Sequence, residues 1–149
     1  MIESPSKTVF AADRKYVDDY KGDLFCLIQN YFEKSGDKTT TPGSVMFDIV
    51  KLIGSSDYIL IVHETDHKPD GFMIGKLVGN VARILMAFLG KGLNNKEIIK
   101  EALGLFEGWA KDRKCIACDL YTHRHPKSYK SLETQGWRHN YTTYRKELT

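Results

Sequence analysis

The run Tyr58-Ile59-Leu60-Ile61-Val62 is continuously apolar and rich in β-branched residues. A strand with no polar alternation has no face to give to water, so it must lie inside a sheet that is covered on both sides. The chain therefore needs apolar material on two further layers. Tyr16 to Lys34 supplies one candidate, because Val17, Tyr20, Leu24, Leu27, Ile28, Tyr31 and Phe32 recur at intervals of three and four, the stripe of an amphipathic helix. A second helix is predicted after Pro42, with Met46, Ile49, Val50 and Ile53 on one face and Gly54-Ser55-Ser56 as its stop.

Beyond the apolar run the pattern is that of a meander. The turn is placed at Pro69-Asp70-Gly71, the return strand runs from Phe72 to about Val78, and a third strand follows Gly79-Asn80 from Val81 to Leu89. Ile98, Ile99, Ala102, Leu103, Phe106, Trp109 and Ala110 then mark the best-patterned helix, with Asn94 and Glu97 placed as a capping pair and Phe106 and Trp109 expected beneath the sheet. Cys115 to Tyr121 reads as a strand. His125-Pro126-Lys127-Ser128 opens a short helix that Gly136 stops, and Tyr141 to Leu148 alternates as a final strand. The order α α β β β α β α β implies an α/β fold, a mixed and mostly antiparallel sheet with helices on both faces.

A length of 149 residues with 42% apolar content is one domain's worth of core, so residues 1–149 are expected to form a single domain. The net charge of +3 falls short of a nucleic-acid-binding signature, although His123-Arg124-His125-Pro126-Lys127-Ser128-Tyr129-Lys130 is a basic stretch with an interleaved aromatic. No segment has the length of a membrane span and the first residues lack a signal-peptide core, so a soluble cytoplasmic protein is expected. Cys115-x-x-Cys118 followed by His123 and His125 does not repeat a zinc-finger spacing. A strand's period of two would also send the two thiols to opposite faces, so no metal site is assigned.

The segment His125-Pro126-Lys127-Ser128-Tyr129-Lys130-Ser131-Leu132-Glu133-Thr134-Gln135-Gly136-Trp137 resembles, without a gap, the Asn-Pro-x-Ala-x-x-x-Tyr-x-x-x-Gly-Phe segment of the GCN5-related N-acetyltransferase (GNAT) superfamily. Tyr144-x-Lys146-x-Leu148 and Phe106-Glu107-Gly108-Trp109-Ala110-Lys111 are similarly family-like, and together with the element order they mark the chain as resembling a divergent member. The resemblance implies an acetyl-CoA-dependent transfer of acetyl to a primary amine, on a small molecule or a peptide, by direct attack. It also implies a cofactor held where two parallel strands splay apart, with its pyrophosphate on backbone N–H groups at the start of the long helix.

Ala87-Phe88-Leu89-Gly90-Lys91-Gly92 matches the family's phosphate loop in its glycines but has Ala87 in the first position. Counting back from Trp109 instead puts the loop at Asn94-Asn95-Lys96-Glu97, and a longer loop or a longer helix reconciles the two registers. His125 and Lys127 fall near the adenosine and phosphate end. Where relatives carry an acidic tyrosine this chain has Leu132; Tyr129, one turn earlier, is the substitute acid, and Asp119, His123 and Glu64 are candidate bases. The rival expectation is a non-catalytic binding or structural module that keeps the fold, as degenerate phage-encoded members do. A homodimer or larger assembly is compatible with either.

Overall fold

The computed structural model describes residues 7–89, 96–120, 130–138, 146 and 148. Its order is β1 (Lys7–Ala11), α1 (Arg14–Asp19), α2 (Lys21–Ser35), α3 (Pro42–Leu52), β2 (Tyr58–Thr65), β3 (Lys68–Val78), β4 (Val81–Phe88), α4 (Lys96–Asp112), β5 (Ala117–Leu120) and α5 (Lys130–Glu133). The strands form one sheet in the order β1-β2-β3-β4-β5. Pairing is antiparallel from β1 through β4 and parallel between β4 and β5. The mixed sheet is thus the one expected, with β4, α4 and β5 as the one parallel crossover among the described residues. The final strand predicted at Tyr141 to Leu148 lies outside the described residues, apart from Lys146 and Leu148.

The apolar run at Tyr58 does become a strand buried on both faces. Tyr58, Leu60 and Val62 pack with Val17, Leu24, Ile28, Val45 and Ile49 of α1, α2 and α3. Ile59 and Ile61 pack with Ile98, Ala102, Leu103 and Phe106 of α4. Each such side chain contributes on the order of 1.5–3 kcal/mol by leaving water, which is why β2 holds the centre of both layers.

Four sequence expectations need correction. Residues 7–11 form an edge strand against β2, a segment too short and too mixed to stand out before its partner is known. The first helix is two helices. Tyr20, at φ −120° and ψ 23°, ends α1 and begins α2 while its ring stacks on Tyr16 at 4.5 Å, so the stripe bends without losing its apolar face. The hairpin turn is Asp66-His67, both left-handed at φ 52° and 65°, and Pro69-Asp70-Gly71 belongs to β3. Finally, Trp109 is only partly buried: its ring stacks on Phe106 at 5.8 Å and carries the Arg113 guanidinium 4.7 Å above it.

Helix ends follow local chemistry. The Asp13 side chain accepts from Tyr16 N–H at 2.8 Å to cap α1, and Thr41 accepts from Ser44 N–H at 3.2 Å to cap α3 with Pro42 at its first turn. Arg14 donates to the carbonyls of Val50 (3.1 Å) and Ile53 (2.9 Å), satisfying acceptors at the end of α3. Gly136, at φ 88°, ends α5 with Trp137 N–H on Leu132 O and Gly136 N–H on Glu133 O, both at 3.1 Å, the paired bonds of a Schellman stop.

Two glycines in β3 set how closely other parts approach. A Cβ on Gly75 would lie 2.4 Å from the Phe106 ring, so the bare backbone here is what lets α4 settle on the sheet. A Cβ on Gly71 would lie 2.8 Å from Leu89 Cα, so the end of β4 also leans on bare β3 backbone.

Candidate functional site

The decisive local feature is a bulge in β4. Ile74 pairs with Met86 and Gly75 with Ile84, leaving Leu85 as an extra residue. An inserted residue moves every following side chain to the other face. Accordingly Ala82 and Ile84 pack on the α4 side, while Met86 and Phe88 pack on the α1–α3 side. The described parallel pairing with β5 covers Val81 to Ile84, opposite Ala117 to Leu120, the last described residue of that segment, and β4 runs on past the bulge to Phe88.

Beyond Phe88 and Leu89 the chain re-enters described structure at Lys96, the first residue of α4. The described part of α4 runs for 17 residues from Lys96 to Asp112, and the stretch 90–95 on which the two sequence registers differ lies outside the described residues. Phe88 and Leu89 are buried, on opposite faces, so their side chains serve the core; Ala87 and Lys96 are exposed. Gly90, Lys91, Gly92, Asn94 and Asn95, with His125 and Lys127, lie outside the described residues, as do the candidate acid Tyr129 and the candidate base His123.

The other two candidate bases are described and lie apart. Asp119 sits on β5 opposite Arg83, whose Nη2 is 3.8 Å from its carboxylate. Glu64 is near the end of β2, two strands from β4 and so roughly 10 Å away by sheet spacing. It accepts a hydrogen bond from the Tyr16 hydroxyl at 2.7 Å. Burial first, then this bond and the charge of Glu64, push the Tyr16 phenol pKa up, so Tyr16 remains a donor that holds Glu64.

Three features escaped the sequence reading. His63 is 3% exposed, with Nδ1 donating to Asp70, whose other oxygen accepts from Thr65 Oγ1 at 2.5 Å. The signal was a histidine at the end of a buried run facing an acid across a two-residue turn. The second is Leu85, which the even apolar alternation of Ala82, Ile84, Met86 and Phe88 conceals. The third is Tyr58, a phenol at the head of the apolar run whose pKa is pushed up by burial and, secondly, by the charge of Asp48.

The cysteines also differ from expectation. Cys115 N–H bonds to Ala110 O at 3.1 Å after Lys114 turns left-handed, so Cys115 closes α4, and the strand begins only at Ala117. Cys115 and Cys118 consequently line the same cleft, of about 390 Å³, with Glu107, Lys111, Asp119 and Trp137. Burial, and after it the Glu107 carboxylate, push the Cys118 thiol up to about 11. Its thiolate, the reactive form, is scarce at neutral pH. At pH 8 iodoacetamide is expected to modify the exposed Cys26 well before Cys118, with Cys118 alkylation rising only toward pH 11; peptide mass mapping across pH reads this out. Equal rates at pH 8 would contradict the buried thiol.

No protein-family model and no curated protein matches the sequence. Solved structures do. An aminoglycoside N-acetyltransferase in complex with CoA superposes with a TM-score of 0.73 and 11% identity over 99% of each chain. This is the GNAT fold. A GNAT family acetyltransferase from Staphylococcus aureus gives a TM-score of 0.65 at 16% identity, covering 96% of this chain and 99% of its own. A possible acetyltransferase from Clostridium difficile 630 gives 0.70 at 14%, covering 96% and 98%. The shared fold places the parallel β4–β5 pair and α4 in a GNAT framework, and in the described part of this chain no helix is long and apolar enough to cross a membrane.

Proposed function

We propose that the chain is an acetyl-CoA-dependent N-acetyltransferase that moves acetyl to a primary amine by direct attack, without a covalent enzyme intermediate. The observation that carries this reading is the bulge at Leu85 in β4, on a strand that pairs in parallel with β5 and leads into the long helix α4. Unpaired strand amides fit the amide-bearing arm of CoA by strand-like pairing, and unpaired N–H groups at a helix start suit its phosphates. The backbone of Leu85 to Phe88 would hold the arm, and the first turn of α4 with Gly90 to Asn95 the pyrophosphate, assisted by Lys91 and Lys96. His125 and Lys127 are assigned to the adenosine end.

Acetyl-CoA, when bound, supplies the acetyl group as an activated thioester. The chain's own part is to orient the amine, polarise the carbonyl with β4 backbone amides and return a proton from Tyr129 Oη to the departing sulfur. Asp119, His123 and Glu64 stand as candidate bases for the incoming amine. The test is CoA titrated into purified protein, followed by calorimetry.

One observation favours a second reading, a non-catalytic module. Leu132, at the family's tyrosine position, is 9% exposed and packs into the α4-side core, where it supplies packing and no proton. CoA binding without turnover on any amine would select that reading.

A further inference from the structure

α4 buries Ile98, Ala102, Leu103, Phe106 and Ala110 against the sheet and leaves Lys100, Glu101, Gly104, Gly108, Lys111 and Asp112 exposed on the opposite side. A Cβ on Gly104 or Gly108 would meet nothing within 4 Å, so neither glycine serves to let another part of this chain approach, although glycine weakens a helix interior. Leu105, beside them, is 39% exposed. Lys100, Glu101, Lys111 and Asp112 form no ion pair among the described residues. For each of these four, a neighbour three or four places toward the middle of the helix is one of the two glycines, so the helix surface is charged at its ends and bare between them.

We propose that this face of α4 is a dimer interface, on which a second copy of the chain packs its own α4 antiparallel about a twofold axis at the level of Phe106. The order of the residues selects both partner and direction. With the midpoint at Phe106, Gly104 of one copy stands level with Gly108 of the other, Glu101 with Lys111, and Lys100 with Asp112, and the twofold repeats each pairing. A parallel pair would instead set Glu101 against Glu101 and Lys111 against Lys111. Facing glycines let the two helix axes approach to the near end of the usual roughly 8–10 Å separation, and the two Leu105 side chains, next to the twofold, cover each other. The charges at either end fix the register more than they add affinity. One pair of helix faces is small beside the interfaces of permanent complexes, so a reversible dimer with a micromolar Kd is expected. It forms whether or not the chain transfers acetyl.

Sedimentation equilibrium of the full chain, from micromolar to submillimolar concentration, tests the interface, and a monomer–dimer equilibrium is expected. Glu101→Lys and Lys111→Glu should each raise Kd about tenfold or more by setting like charges level, and the double variant Glu101→Lys/Lys111→Glu should return it to within about threefold of its original value. The variant Gly104→Ala/Gly108→Ala separates the interface from the fold. Its methyl groups should raise the Tm of the dilute monomer by roughly a few degrees through helix propensity, yet weaken the dimer about tenfold by holding the helices apart. A chain that stays monomeric throughout the range, a dimer indifferent to the single charge reversals, or a double reversal that dimerises no better than the single ones overturns the proposal.

Discussion

Phe106→Ala is expected to cost about 3–5 kcal/mol of folding stability, because truncating a fully buried aromatic loses its transfer energy and leaves a cavity. Phe106 is 0% exposed and lies directly over Gly75, where the β3 backbone carries no side chain to fill the void. Its ring also stacks on Trp109, so the loss spreads along α4. Urea denaturation followed by tryptophan fluorescence measures it, and a change below about 1 kcal/mol would mean that α4 does not rest on β3 as described. Since the same helix presents the proposed phosphate site at its start, the variant should also bind CoA more weakly.

Tyr129→Phe is expected to lower turnover about a hundredfold, equivalent to about 2.7 kcal/mol of transition-state stabilisation, while leaving CoA affinity nearly unchanged. The substitution keeps the ring and removes the proton. Tyr129 lies outside the described residues, and the case for it rests on Leu132, whose side chain is committed to the core and leaves the acid's role to another group. Tyr129 stands three residues earlier in the sequence, the spacing at which residues on a helix are neighbours. Steady-state kinetics on an acetylated amine decide the matter: a loss below about threefold assigns Tyr129 to packing.

What the sequence made legible follows from how many residues carry each signal. The buried strand at Tyr58, the helix ending near Lys111 and the stop at Gly136 each rest on several agreeing residues or on one residue with a sharp conformational preference. The edge strand at Lys7–Ala11 rests only on its partner, and the break at Tyr20 on ring stacking that a helical stripe does not encode. The candidate site was half legible. Ala87 to Leu89 and Lys96 do flank the junction of β4 and α4, but the bulge that interrupts strand pairing is invisible because Leu85 is one apolar residue among many. Asp70 was read as turn chemistry, since Pro-Asp-Gly is a strong turn signal; tertiary pairing with His63 and the left-handed Asp66-His67 pair overrode it.

The central claim is that the parallel β4–β5 pair and the start of α4 form a CoA site, and ligand-dependent thermal stability tests it most directly. Binding to the folded state alone at a hundredfold excess over Kd adds about 2.7 kcal/mol. For a chain of this size that should raise Tm by roughly 5–10 °C. The account predicts such a saturable rise with acetyl-CoA and CoA, reduced in Gly92→Asp, whose carboxylate would oppose the phosphates. A Tm that stays constant up to millimolar CoA would contradict it.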